Sequence, residues 1–226
     1  MLSVKDLPLD DRPREKLVMR GAQSLTDAEL IAILLRTGLK GKSVITLSQE
    51  LILGFGNLAN LSTKSINELT KTAGIGNDKA VSLLAAFEIS RRILFQSRWA
   101  SEKKITAPAV AAEMFIPLFN HLDKENFVVI CLNSANKIIK YEIISIGNLN
   151  SSVVHAREIF KSAIENKSAS IILLHNHPSG NPEPSNEDIA ITKKLVEAGK
   201  ILDIPVFDHI IIAGNKYTSF VEKRLI

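Results

Sequence analysis

SIILLHNHPSGNPEPSNEDIAITKKLVEAG, residues 170–199, changes character halfway along. An apolar run, Ile171–Leu174, leads into two histidines separated by one residue, which reads as a strand reaching its end. Pro178 has no N–H to donate, so the ladder stops there. The loop Ser179–Pro184 carries the chain to Ser185, a natural N-cap, and a helix that the pattern ends at Gly199. Strand, loop and helix in immediate succession are the unit of an α/β domain.

The flanking segments extend that reading. PAVAAEMFIPLFNHL predicts a helix, and NFVVICLN and KIIKYEIISIG predict two strands with Asn133–Asn136 as their turn. HAREIFKSAIENK reads as another helix, and PVFDHIIIAG with NKYTSF as a closing hairpin. Together they predict an α/β sandwich with a central sheet over residues 101–226. Residues 1–100 read instead as an all-α domain. LTDAELIAILLRTG has helical spacing with Thr26 as N-cap and Gly38 as stop. KSVITLSQELILGFG, SINELTKTAG (capped by Ser65) and NDKAVSLLAAFEISRRILFQ (capped by Asn77) repeat the pattern. The polar stretch SRWASEKKIT, residues 97–106, marks the boundary.

At 226 residues the chain can bury a full core, and 46% hydrophobic with 23% charged residues is ordinary for a globular protein. No apolar run reaches the ~18 residues of a membrane span, and MLSVKDLPLDDRPREK has no signal-peptide core. The lone Cys131, inside FVVICL, excludes an internal disulfide and fits a reducing cytoplasm as a buried small hydrophobe. Residues 1–100 carry 14 Lys and Arg against 10 Asp and Glu, while residues 101–226 carry 14 of each. The first half can therefore meet a polyanion, at a charge density well below that of a dedicated nucleic-acid patch.

Residues i and i+2 of a strand share a face, so His175 and His177 can converge on one ion. Asp188 falls in the first turn of the helix capped by Ser185, within reach of the loop side of such an ion. Imidazole suits zinc, and two histidines plus one carboxylate leave a fourth position open, as in catalytic rather than structural sites. Taken singly, Ser185-x-x-Asp188 is close to a capping box and a His-x-His at a strand end is usually incidental. It is their combination that points to a metal. The letters HNH do not make an HNH nuclease, whose residues are dispersed over a ββα element.

HNHPSGNPEPSNED resembles the JAMM (MPN+) metalloprotease motif, His-x-His, seven residues, Ser-x-x-Asp, at every defined position. The wider stretch from LNSSVVHAREIF through HNHPSG to DHIII resembles the RadC family of JAMM-domain proteins, as does PREKL…GAQSLTDAELIAILLRTG near the N-terminus. The resemblance implies a cytidine-deaminase-like MPN sandwich with a central mixed sheet. It implies one zinc on His175, His177 and Asp188, with Ser185 assisting the tetrahedral intermediate, in a hydrolase of peptide, isopeptide or related amide bonds. The pattern also asks for an upstream glutamate as general base. Glu125, opening ENFVVICLN, fits that place better than Glu158, which sits on the intervening helix.

His155, Asp208 and His209 are further candidates, to orient a zinc ligand through a hydrogen bond. In LTKTAGIGNDKAVSL, Gly74 and Gly76 separate two helices, which resembles a helix-hairpin-helix. Backbone amides there, with Lys79, would contact a DNA phosphate; the alternative is a tight αα-hairpin whose glycines serve geometry alone. DNA is thus the expected partner of the helical half in a second reading, a repair or recombination accessory protein whose metal domain only docks. TGLKGKS, residues 37–43, is not a P-loop: Arg36 stands where its first glycine belongs, and no strand precedes it, so no nucleotide is expected.

Overall fold

Alternating faces of apolar side chains along three adjacent strands decide how the C-terminal half folds. A computed structural model describes residues 4–101, 104–147 and 154–226, in two compact units, Met1–Ser90 and Arg91–Ile226.

In the first unit α1 (Pro13–Arg20), α2 (Asp27–Leu35), α3 (Val44–Gly54), α4 (Leu58–Leu61) and α5 (Ile66–Leu69) precede α6 (Asn77–Ser101), which continues into the second unit. Capping explains most starts. Thr26 with Glu29 and Ser65 with Glu68 form reciprocal capping boxes, and Ser43 and Asn57 accept from the N–H three residues on. Leu47, Leu61, Leu69, Ala80 and Leu83 are fully buried in the unit's core. Two helix ends fall elsewhere than the sequence pattern predicts. α2 stops at Leu35, not at Gly38, because Arg36 takes up φ +66° and Thr37 N–H turns back to Leu35 O. Gly38 serves close approach instead: a Cβ there would lie 2.2 Å from Lys42 O. Asn77 is already helical, and Gly76 O accepts the first helical bond, from Ala80 N–H.

The second unit holds α7 (Pro108–Phe119), β1 (Asn126–Leu132), β2 (Ile138–Ile146), α8 (Ala156–Glu165), β3 (Ser170–Asn176), α9 (Asn186–Ile201), β4 (Val206–Ala213) and β5 (Lys216–Ser219). α9 runs two residues past Gly199, which is buried within it. The sheet order is β2-β1-β3-β4-β5, with β3 and β4 parallel and every other pair antiparallel. A parallel pair needs a crossover, and α9 provides it.

Val128, Ile130, Leu132, Ile172, Leu174, Ile210 and Ile212 face α7, where Phe115 and Met114 close the layer. Their chain neighbours Phe127, Val129, Cys131, Ile171 and Leu173 face α8 and α9. β1 and β3 are buried along their whole length, which is why both read as unbroken apolar runs. The result is an α/β sandwich around a mixed five-stranded sheet, preceded by helices, consistent with the MPN fold. Among the described residues no helix is long and apolar enough to cross a membrane.

Candidate metal centre

The end of β3 lies between two strands that fix it rigidly. His175 is paired with Phe127 of β1 and Ile211 of β4. His177, one residue beyond β3, still donates its N–H to Ile212 O at 2.7 Å. The two imidazoles share a face, and their Nε2 atoms stand 2.9 Å apart. His175 is fully buried and His177 half-buried. His177 Nδ1 lies 2.7 Å from Asn181 O, so the proline-rich loop itself holds the second ring.

α9 brings the third group. Asp188 does two jobs at once. Its Oδ2 accepts from Ser185 N–H and from Ser185 Oγ–H, both at 2.7 Å, while Asp188 N–H donates to Ser185 Oγ at 3.1 Å. The same carboxylate faces the histidines, Oδ1 lying 3.2 Å from His175 Nε2 and Oδ2 lying 3.5 Å from His177 Nε2. The capping-box and ligand readings of Ser185-x-x-Asp188 therefore coexist.

Electrostatics follow from this crowding. Burial alone would raise the Asp188 carboxyl, but hydrogen bonds from both imidazoles and from Ser185 hold it far below the usual carboxylate range. Burial pushes His175 down, against the pull of Asp188. His177 is raised, chiefly by its hydrogen bond with Asp188. After the Asp188 effects, the negative charge of Glu125 also favours protonation of both histidines.

Glu125 immediately precedes β1, its carbonyl accepting from Gly147 N–H at 2.8 Å. Two asparagines brace it. Asn176, between the histidines, accepts from Asn126 N–H at 2.8 Å through Oδ1 and donates to Lys124 O at 3.0 Å through Nδ2. Asn126 Nδ2 donates to the same Lys124 O at 2.8 Å. The bonds bracket Glu125 on both sides. Nothing in the letters HNH distinguishes Asn176 from a spacer; only the pairing of β1 with β3 reveals its work. Glu158 is exposed on α8, 3.3 Å from the Arg157 guanidinium.

Of the three further candidates, one touches a histidine of the cluster. His209 Nε2 is 2.8 Å from His175 Nδ1, and His209 Nδ1 is 2.6 Å from Thr192 Oγ1. Burial places His209 well below the ordinary histidine value. Asp208, its neighbour, accepts from His209 N–H, Val221 N–H and Ser219 Oγ–H, and burial raises its carboxyl. His155 stands exposed at the start of α8; Leu149–Val153 just before it lie outside the described residues.

In the helical unit Gly74 has φ +91°, and a Cβ there would come within 2.6 Å of Leu39 Cγ, so packing already requires this glycine. Lys79 Nζ donates to Thr37 O at 2.6 Å and Gly74 O at 2.9 Å, which stitches the turn together. A Cβ at Gly76 would meet nothing within 4 Å, and Gly76 lines a groove of about 560 Å³ with Arg36, Asn77 and Ser82.

Among the described residues His175, His177 and Asp188 form the one trio of His, Cys, Asp or Glu whose ligand atoms converge, all within 4.8 Å of one another. Buried electron-pair donors this close call for a proton or a metal ion between them. The donor set fits a divalent metal of the zinc type: two imidazole nitrogens and a carboxylate oxygen, each oriented by a second hydrogen bond.

The description "RadC-like JAB domain" matches residues 105–225, and "UPF0758 N-terminal" matches residues 4–81. A UPF0758 protein of Staphylococcus carnosus is 48% identical over 98% of this chain and 97% of its own. One from Geobacillus kaustophilus is 47% identical over 97% of each chain, and one from Methanosarcina acetivorans 43% identical over 99% of this chain and 96% of its own. A sheet that delivers a His-x-His pair to an aspartate at a helix start agrees with the JAB description, and the likeness runs nearly end to end: the chain belongs to the RadC family.

Proposed function

We propose that the C-terminal unit is a zinc-dependent hydrolase of peptide, isopeptide or related amide bonds. The convergence of His175, His177 and Asp188 beside the braced Glu125 supports this reading above all else. Zinc there would supply a Lewis acid that makes water acidic near neutral pH and polarises the scissile carbonyl. The protein's own groups do the rest. Glu125 takes the proton of the attacking water and hands it to the leaving amine. Ser185 exchanges its bond to Asp188 Oδ2 for one to the developing oxyanion. The reducing cytoplasm is the compartment we assign, on the single buried Cys131.

The test is digestion of a linear-peptide and isopeptide library by the zinc-loaded full chain, read by mass spectrometry beside Glu125→Gln. Products from the wild type, reduced about 10²–10⁴-fold in the variant, are expected. A variant that matches the wild type overturns the assignment of the base. No product from either, with zinc bound, overturns the hydrolase.

A second reading concerns the helical unit. The groove at Arg36 and Gly76 supports a contact to a DNA phosphate backbone in which Arg36 supplies the charge, since Lys79 is committed to two carbonyls. Binding of the full chain to DNA should weaken with salt and with Arg36→Ala. Salt-independent binding, or none, removes it.

A further inference from the structure

The buried chain Thr192–His209–His175 consists of three contacts whose proton positions can be deduced. Thr192 Oγ1 is 2.5 Å from Asp188 O and 2.6 Å from His209 Nδ1. A carbonyl has no proton, so the single hydroxyl proton must lie toward Asp188 O; any other placement sets two lone pairs against each other at 2.5 Å. The hydroxyl then accepts from His209, and Nδ1 carries a proton. His209 is fully buried, flanked by the rings of Phe127 and Phe220, and its backbone neighbour Asp208 spends its carboxylate on Ser219, Val221 and the His209 amide. Such a ring stays neutral, which leaves Nε2 bare. His175 Nδ1, 2.8 Å away, must therefore carry the proton of that contact. A neutral His175 then has its free electron pair on Nε2, the atom facing His177 and Asp188.

We propose that Thr192 and His209 are positioning residues that fix His175 in the Nδ1–H tautomer and so keep its Nε2 open to a cation. Without an acceptor at position 192 the hydrogen-bond polarity reverses. If Thr192 could not accept, His209 would carry its proton on Nε2 and donate to His175 Nδ1. His175 would then hold a proton on Nε2 and donate it to Asp188 Oδ1, 3.2 Å away. That state leaves His209 Nδ1 bare instead of holding an N–H with no acceptor, and the ligand atom of His175 is blocked. Thr192 lies one helical turn beyond Asp188, so a single helix face carries both the ligand and the group that sets the tautomer. This deepens the metal-site reading and does not depend on hydrolysis.

The experiment is imidazole ¹⁵N–¹H correlation spectroscopy on the metal-free full chain, followed by zinc titration against a chromophoric chelator. Wild type should show His175 and His209 both protonated at Nδ1. Thr192→Val, close in shape but unable to accept, should move both protons to Nε2 and weaken zinc binding about 10–100-fold. Thr192→Ser should restore both readouts. Proton positions unchanged in Thr192→Val overturn the proposal, as does unchanged zinc affinity. Should the valine variant fail to fold, wild type alone decides: a proton on Nε2 of His175 or His209 overturns it. Wild type with the stated tautomers but no zinc affinity counts against the metal reading and leaves the tautomer lock standing.

Discussion

His175 Nε2 stands 2.9 Å from His177 Nε2, with the Asp188 carboxylate within 3.5 Å of both. The other nitrogen of each ring already has a partner, Asn181 O for His177 and His209 for His175. The space between them therefore calls for a positive charge, either a proton or a metal.

Proton and metal compete for it, and the sign is fixed. His177 is raised above its ordinary 6.5, chiefly by Asp188. In the metal-free protein the stability from the protonated His177–Asp188 pair is fully present below pH 6.5 and is lost as pH rises through the raised value. Zinc needs the ring bare, so zinc affinity should rise with pH across that window. A chelator-competition series from about pH 6 to 8 checks this. Affinity that is flat, or falls, speaks against the ring as a ligand.

The two duties of Asp188 can be separated. Asp188→Asn keeps an oxygen for the cap while removing the anionic ligand, so zinc affinity should drop and metal-free stability should lose only the charged His177–Asp188 pair. Asp188→Ala loses both, since Ser185 N–H and Oγ–H also lose their acceptor, and should unfold at lower urea than Asp188→Asn. Equal metal-free stability of the two variants in urea titrations would show that the cap contributes nothing.

Asn176→Ala should leave the buried Asn126 N–H without its partner at a cost of about 1–3 kcal/mol. Zinc content should persist, because neither histidine bonds to Asn176. Loss of zinc with unchanged stability would mean that the asparagine serves the metal and not the strand opening at Glu125.

The layer under α7 should be sensitive to truncation. Phe115 is fully buried and meets Phe95, Phe119 and Tyr141 edge-on or tilted. Phe115→Ala should cost about 3–5 kcal/mol in denaturant unfolding. A loss below about 1 kcal/mol would contradict a packed core there.

Local periodicity carried most of the site. His175 and His177 share a face because a strand repeats every two residues, and Asp188 sits in a first turn because Ser185 caps it; both are short-range rules. What the letters could not show depends on strand pairing. Thr192 and His209 meet only because β3 and β4 lie parallel with α9 crossing over, and Asn176 braces Glu125 only because β1 pairs with β3. Chain reversals were also hidden. Arg36 with a positive φ ends α2 where a glycine two residues later was expected to do so, since its conformation is imposed by the turn back to Leu35.

The most direct test is anomalous scattering at the zinc edge from crystals of the zinc-loaded full chain. One peak is predicted, bonded to His175 Nε2, His177 Nε2 and an Asp188 carboxylate oxygen at about 2.0–2.2 Å, and absent from crystals of His175→Ala/His177→Ala. Wild-type crystals grown with zinc that show no peak between these three residues would contradict the account.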